Sequence, residues 1–135
     1  KPDLIIDMAT LTGAARVALG PELPPFYTFD DTLAAELETC AEEEFDPLWR
    51  LPLWRSYLPQ LDSKISETNT IAGNGFAGSI IAALFLSKFV STKSWLHIDC
   101  YGWNASSKPG RPEGGEVQAS RALFSLLKKR YGQTI

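Results

Sequence analysis

Leu4, Ile5 and Ile6 form a short unbroken apolar run that Asp7 and Met8 close. A continuous run of that length, without alternation, marks a strand buried on both faces of a parallel sheet. Ala9–Gly13 reads as a small-residue turn, and Ala14–Leu19 as a short helix closed by Gly20. Pro21–Pro25 is too rich in proline to be regular, and Phe26–Phe29 is a short extended piece. Asp30 or Asp31 caps a helix from about Thr32 to Glu44, with Leu33, Leu37, Cys40 and Ala41 on its inner face. Its glutamates make a solvated outer face. Phe45–Leu61 is aromatic and broken by Pro47, Pro52 and Pro59, with Pro52 in the position of a first-turn proline. Trp49 and Trp54 are expected in the core, with a share of a subunit interface as the alternative.

The second half is more strongly patterned. Phe76, Ile80, Ala83, Leu84 and Phe89 lie at helical spacing, and Ile81, Ala82, Phe85 and Leu86 make that helix apolar nearly all round, so it should be well buried. Trp95–Cys100 is a second buried-type strand. Tyr101–Gly115 is a loop, and a last helix starts near Gly115-Glu116 with Val117, Phe124, Leu127 and Tyr131 as its apolar stripe. Glu116 in its first turn and Lys128, Lys129 and Arg130 in its last would complement the helix dipole. Strands alternating with helices give an α/β class.

Composition narrows the function classes. The 135 residues suffice for one domain, and 44% hydrophobic with 21% charged residues is an ordinary globular balance. A net charge of −3 offers no basic field for a phosphate backbone, so no nucleic-acid partner is expected. No apolar stretch approaches the roughly 20 residues of a membrane span. Cys40 and Cys100 stand in different settings and read as reduced thiols of a cytoplasmic chain. The chain begins two or three residues before a buried strand, and a larger protein is expected to continue upstream.

Several constellations could carry chemistry. Gly73-Asn74-Gly75-Phe76-Ala77-Gly78 spells G-x-G-x-x-G, with a strand ending at Asp99 further on. A dinucleotide fingerprint must follow a buried strand, and Ser63–Thr70 carries Lys64, Glu67 and Asn69 where such a strand is apolar. A tight glycine loop is the simpler account. His97 and Asp99 project from one strand face and could bind a metal or share a proton; a structural hydrogen bond for His97 is the simpler reading. Asp7 and Asp99 end their strands on the same edge if both are parallel. They could act as paired carboxylates or cap loops.

Four stretches, taken together, resemble the C-terminal part of the leucyl (cytosol) aminopeptidase family. They are Asp3–Ala15, Trp49–Leu53, Ala77–Leu86 and Trp95–Asp99, in the family's order and nearly at its spacing. Arg111–Glu116 is similar to a bacterial branch of that family. The resemblance implies that residues 1–135 are the C-terminal portion of a catalytic domain built on a mixed, largely parallel sheet flanked by helices. Its activity would be removal of N-terminal residues from peptides, using two divalent ions (manganese or zinc), in a cytoplasmic hexamer. The family's metal ligands, catalytic lysine and Asn-Thr-Asp-Ala-Glu-Gly-Arg signature precede the Ala-Thr-Leu-Thr-Gly segment, so no metal ligand or catalytic residue carries over. What carries over is a substrate wall. Thr10, Leu11 and Gly13 match the segment whose backbone contacts the substrate, and Tyr101 and Asn104 match positions lining the pocket for its N-terminal side chain. The family often has small or flexible apolar residues at those two places. The alternatives are a non-catalytic α/β assembly module using the Trp-rich 45–61 stretch, or a dinucleotide-binding unit on 73–78.

Overall fold

The computed structural model describes residues 2–62 and 75–132. The polar run 63–70, and Gly73 and Asn74 of the glycine motif, lie outside them. A four-stranded sheet has the order β1-β4-β2-β3, with β1 Ile5–Ala9, β2 Pro25–Tyr27, β3 Trp49–Arg50 and β4 Trp95–Asp99. β1 runs parallel to β4 and β2 parallel to β3, while β2 and β4 are antiparallel. This is the mixed, mostly parallel sheet that the family resemblance implied.

Alternation along the strands assigns the two faces. Phe26, Leu96 and Ile98 join Leu33, Leu37, Cys40, Ala122 and Leu126 in one core, beneath α2 (Asp31–Glu43) and α4 (Ser120–Tyr131). Tyr27, His97 and Asp99 point the other way, toward α3 (Gly78–Ser87). There Ile81 and Leu84 pack with Leu61 of a 3₁₀-helix, Arg55–Leu61. α1 (Gly13–Leu19) adjoins α3, and a Cβ added at Gly78 would stand 3.2 Å from the Ala14 methyl. Gly78 is thus small because two helices meet there.

Helix ends follow local chemistry. Thr12 caps α1, and Gly20 closes it at φ 77°. Asp30 caps α2 by accepting from Leu33 N. The Ser94 hydroxyl, then that backbone N–H, hold its carboxyl below the ordinary aspartate range. The start of α4 is different. Ala119 precedes it in a left-handed conformation (φ 66°) and offers no side-chain cap. Buried Asp46 supplies it from across the core, accepting from Ala119, Arg121 and Ala122 N–H groups.

The structure departs from the chain's pattern in several places. β1 runs on to Ala9 and is half-buried, because among the described residues it pairs with β4 alone. Trp49 and Trp54 are each 56% exposed: Leu48 takes the inward position, and the segment around Pro52 is extended, so the helix starts only at Arg55. Phe76 and Phe89 flank α3 rather than sit within it, and both are exposed. The loop after β4 holds a hairpin, β5 Trp103–Asn104 against β6 Gly114–Gly115. Its inner turn is Lys108-Pro109-Gly110-Arg111, with Gly110 at φ 72° as a Pro-Gly turn requires. Finally, α4 begins at Ser120, so Glu116 lies outside it, and the stripe Val117, Phe124, Leu127, Tyr131 faces outward while Ala122, Leu123 and Leu126 are buried. No described helix is long and apolar enough to cross a membrane.

Candidate functional site

The site is built where β1 and β4 end together. Parallel pairing sets Ala9 opposite Asp99, and Cys100 N donates to Ala9 O at 2.9 Å. The turn Thr10–Thr12 leaves the sheet at this carboxyl edge, the place where open α/β sheets bind ligands. Asp99, only 3% exposed, holds the turn. Its Oδ1 accepts from Leu11 N (3.0 Å) and Thr12 N (3.2 Å), and its Oδ2 from Thr12 Oγ1 (2.6 Å). Thr12 Oγ1 in turn accepts from Ala15 N at 3.1 Å, so one carboxylate fixes both the turn and the first turn of α1.

Behind the turn, Ser79 Oγ lies 3.5 Å from Asp99 Oδ2 and is hydrogen-bonded to the Tyr27 hydroxyl. Burial pushes the Tyr27 phenol up to about 12, against the lowering effect of Ser79 and with the Asp99 charge adding to the rise. A folded-state value above the unfolded one means that stability is complete below the unfolded pKa of about 10 and is lost as pH rises toward 12. Urea melts across that window should therefore show wild-type stability falling by on the order of 2 kcal/mol, with Tyr27→Phe removing most of the slope. An equal slope in the variant would assign the alkaline loss to other groups.

The remaining candidates separate. His97 Nδ1 meets Asp7 Oδ1 at 2.5 Å, and Asp7 Oδ2 accepts from Trp95 Nε1 at 2.6 Å. The imidazole is fully buried and stacks with Tyr27 and Trp95. His97 therefore makes the structural hydrogen bond expected of it, tying β4 to β1. Asp7 and Asp99 share a face but serve different donors, and so do His97 and Asp99. No group of three or more His, Cys, Asp or Glu side chains among the described residues could hold a metal ion. Buried Asp99 and half-buried Asp7 already bond to N–H and O–H groups and to the His97 ring, so the described residues do not fit a metal.

The turn is brought to Tyr101. Thr10 Oγ1 donates to Tyr101 O at 3.5 Å, and the Arg16 guanidinium lies over the Tyr101 ring, 4.5 Å from its centroid. Leu11 and Gly13 are exposed beside them. Leu11 also borders a groove of about 420 Å³ with Leu61, Phe76, Ile81 and Phe85. Asn104 stands further out in β5, buried, with its amide donating to Pro112 O (3.2 Å) and bonded to Glu116. Asp99 is the residue whose role spacing left open: loop capping and paired-carboxylate work were both readable, and only the 3.0 Å contact to Leu11 N separates them.

The model of the cytosol aminopeptidase family, catalytic domain, matches residues 1–124. The chain belongs to the cytosol aminopeptidase family. Peptidase B of Serratia proteamaculans is 50% identical over 134 residues, covering 94% of this chain and 30% of that protein. A probable cytosol aminopeptidase of Chlorobium luteolum is 42% identical over 131 residues, 96% of this chain and 26% of its own length. The structure of a cytosol aminopeptidase from Coxiella burnetii superposes with a TM-score of 0.90 at 48% identity, over 96% of this chain and 29% of the other. The bottromycin maturation enzyme BotP in complex with Mn gives 0.86 at 31% identity, over 95% of this chain and 29% of BotP. The chain thus spans about 30% of the length of the aminopeptidase-family relatives it matches.

Proposed function

We propose that this chain is the C-terminal portion of an aminopeptidase catalytic domain and supplies its substrate wall. The observation that carries the reading is the Thr10–Gly13 turn, pinned by Asp99 at the carboxyl edge of two parallel strands with Tyr101 alongside. In this reading the backbone of Thr10, Leu11 and Gly13 aligns the peptide main chain, and Tyr101 and Asn104 border the pocket for the N-terminal side chain. The cofactor is two divalent ions, manganese or zinc, held by residues upstream of Lys1. The manganese in the BotP complex supports a divalent metal ion. The protein acts in the cytoplasm on peptides, as a homo-oligomer of hexameric type. Exposed Phe45 and Trp49, which border a groove of about 670 Å³ with Leu48, support an assembly surface.

The test compares two proteins. The full-length protein carrying this chain should hydrolyse unblocked aminoacyl anilides, lose that activity to a chelator and regain it with manganese or zinc. Residues 1–135 alone should show no turnover under the same conditions. An inactive full-length protein, or metal-dependent turnover by the segment alone, overturns the reading. A single-subunit mass by light scattering overturns its oligomeric part.

A further inference from the structure

Tyr101 and Gly102 lie between β4 and β5 and belong to neither strand, so no ladder holds them. A side chain from beyond the hairpin does. The N–H groups of Tyr101 and Gly102 both donate to Gln118 Oε1, at 3.0 and 3.1 Å. Two successive N–H groups converging on one point, with Gly102 at φ 67°, form the kind of concavity that elsewhere takes an anion. Here a neutral amide oxygen fills it. Gln118 Nε2 donates to Pro21 O at 2.8 Å, so the same side chain ties Tyr101 to the loop after α1. Glu116 N donates to Gly102 O at 3.0 Å, bringing the hairpin's return strand onto the same residue. The Tyr101 ring itself lies under the Arg16 guanidinium.

We infer that Gln118 is a positioning residue for the substrate side-chain pocket: it sets where Tyr101 stands and thereby which N-terminal residues are admitted. This rests on the aminopeptidase reading above, in which Tyr101 borders that pocket. Without the amide oxygen, two adjacent N–H groups turn to water and the Tyr101–Gly102 segment is free to shift. A displacement of about 1 Å in a substrate-positioning group is enough to change rates by large factors. Asp99 keeps its bonds to Leu11 and Thr12, and the turn gives up only the long Thr10 hydroxyl contact to Tyr101 O, so the backbone of the main-chain side stays pinned.

The experiment uses the full-length protein and a panel of aminoacyl anilides with small, branched and aromatic side chains. Gln118→Ala should raise KM for the preferred substrate about tenfold and narrow the spread of kcat/KM across the panel. On the alanyl substrate, kcat should stay within about twofold of wild type. Gln118→Glu keeps an acceptor oxygen for both N–H groups, in charge-assisted form, while giving up the donor to Pro21 O. It should retain the wild-type ranking, because the Tyr101–Gly102 bonds and not the Pro21 tie set the pocket, and an Ala-like ranking in it overturns that assignment. Gln118→Met has the original length without either polar atom. It should behave as Gln118→Ala and replaces it if that variant does not fold. A wild-type ranking in the Ala and Met variants overturns the inference, as does a uniform loss across all substrates. A wild-type protein without any aminopeptidase turnover overturns the function beneath it.

Discussion

Asp99→Ala is expected to lower unfolding free energy by on the order of 3 kcal/mol or more, because it orphans three donors at once. Leu11 N–H, Thr12 N–H and the Thr12 hydroxyl all give their hydrogen bonds to this one carboxylate. The donors are part-buried, so water replaces the lost acceptor incompletely, and each orphaned group costs about 1–3 kcal/mol. The damage spreads further, since Thr12 is also the cap of α1. Asp99→Asn keeps the shape and one acceptor oxygen but sets an NH₂ group against existing donors, and should cost about half as much. Urea denaturation of wild type and both variants measures this. A loss below about 1 kcal/mol for the alanine variant would mean that the turn holds itself and that Asp99 is incidental to it. In the full-length protein the same substitution should abolish turnover, since it releases the backbone proposed to align the substrate.

The second large effect contrasts neighbours on one helix. Leu126→Ala is expected to cost about 2–5 kcal/mol, as a fully buried leucine between α2, α4 and the sheet leaves a cavity. Phe124→Ala, two residues away and larger, should cost under about 1 kcal/mol, because Phe124 is 70% exposed. Thermal or urea midpoints of the two variants decide it. Equal losses would mean that another part of the protein covers Phe124.

That contrast shows where reading the chain stops. α4 carries two neighbouring apolar stripes, Ala122-Leu123-Leu126 and Phe124-Leu127-Tyr131, both at helical spacing. Periodicity identifies the helix but not which stripe meets α2, and the larger side chains drew the choice the wrong way. Bulk likewise predicts a core position for the tryptophans, yet Trp49 alternates with inward Leu48 and stands outside. The left-handed Ala119 carries no turn-forming residue as a signal, and its stabiliser, Asp46, is far away in the chain.

What the chain determines by itself is local. Gly20 closes α1 and the Asp30-Asp31 pair marks the start of α2 through bonds to residues within four positions, so spacing reports those ends, while the structure assigns the α2 cap to Asp30 and the α1 cap to Thr12. Trp95–Asp99 reads as a buried strand from Trp95, Leu96 and Ile98, and all five of its residues are buried. The resemblance, too, was carried by short unbroken stretches. Only the tertiary structure decided the roles of Asp99, Asp46 and Gln118. Each is a polar side chain whose partners lie across the fold, and a hydrogen bond between distant residues leaves no period in the sequence. It becomes visible only when parallel pairing of β1 with β4 brings the Thr10–Gly13 turn against Asp99.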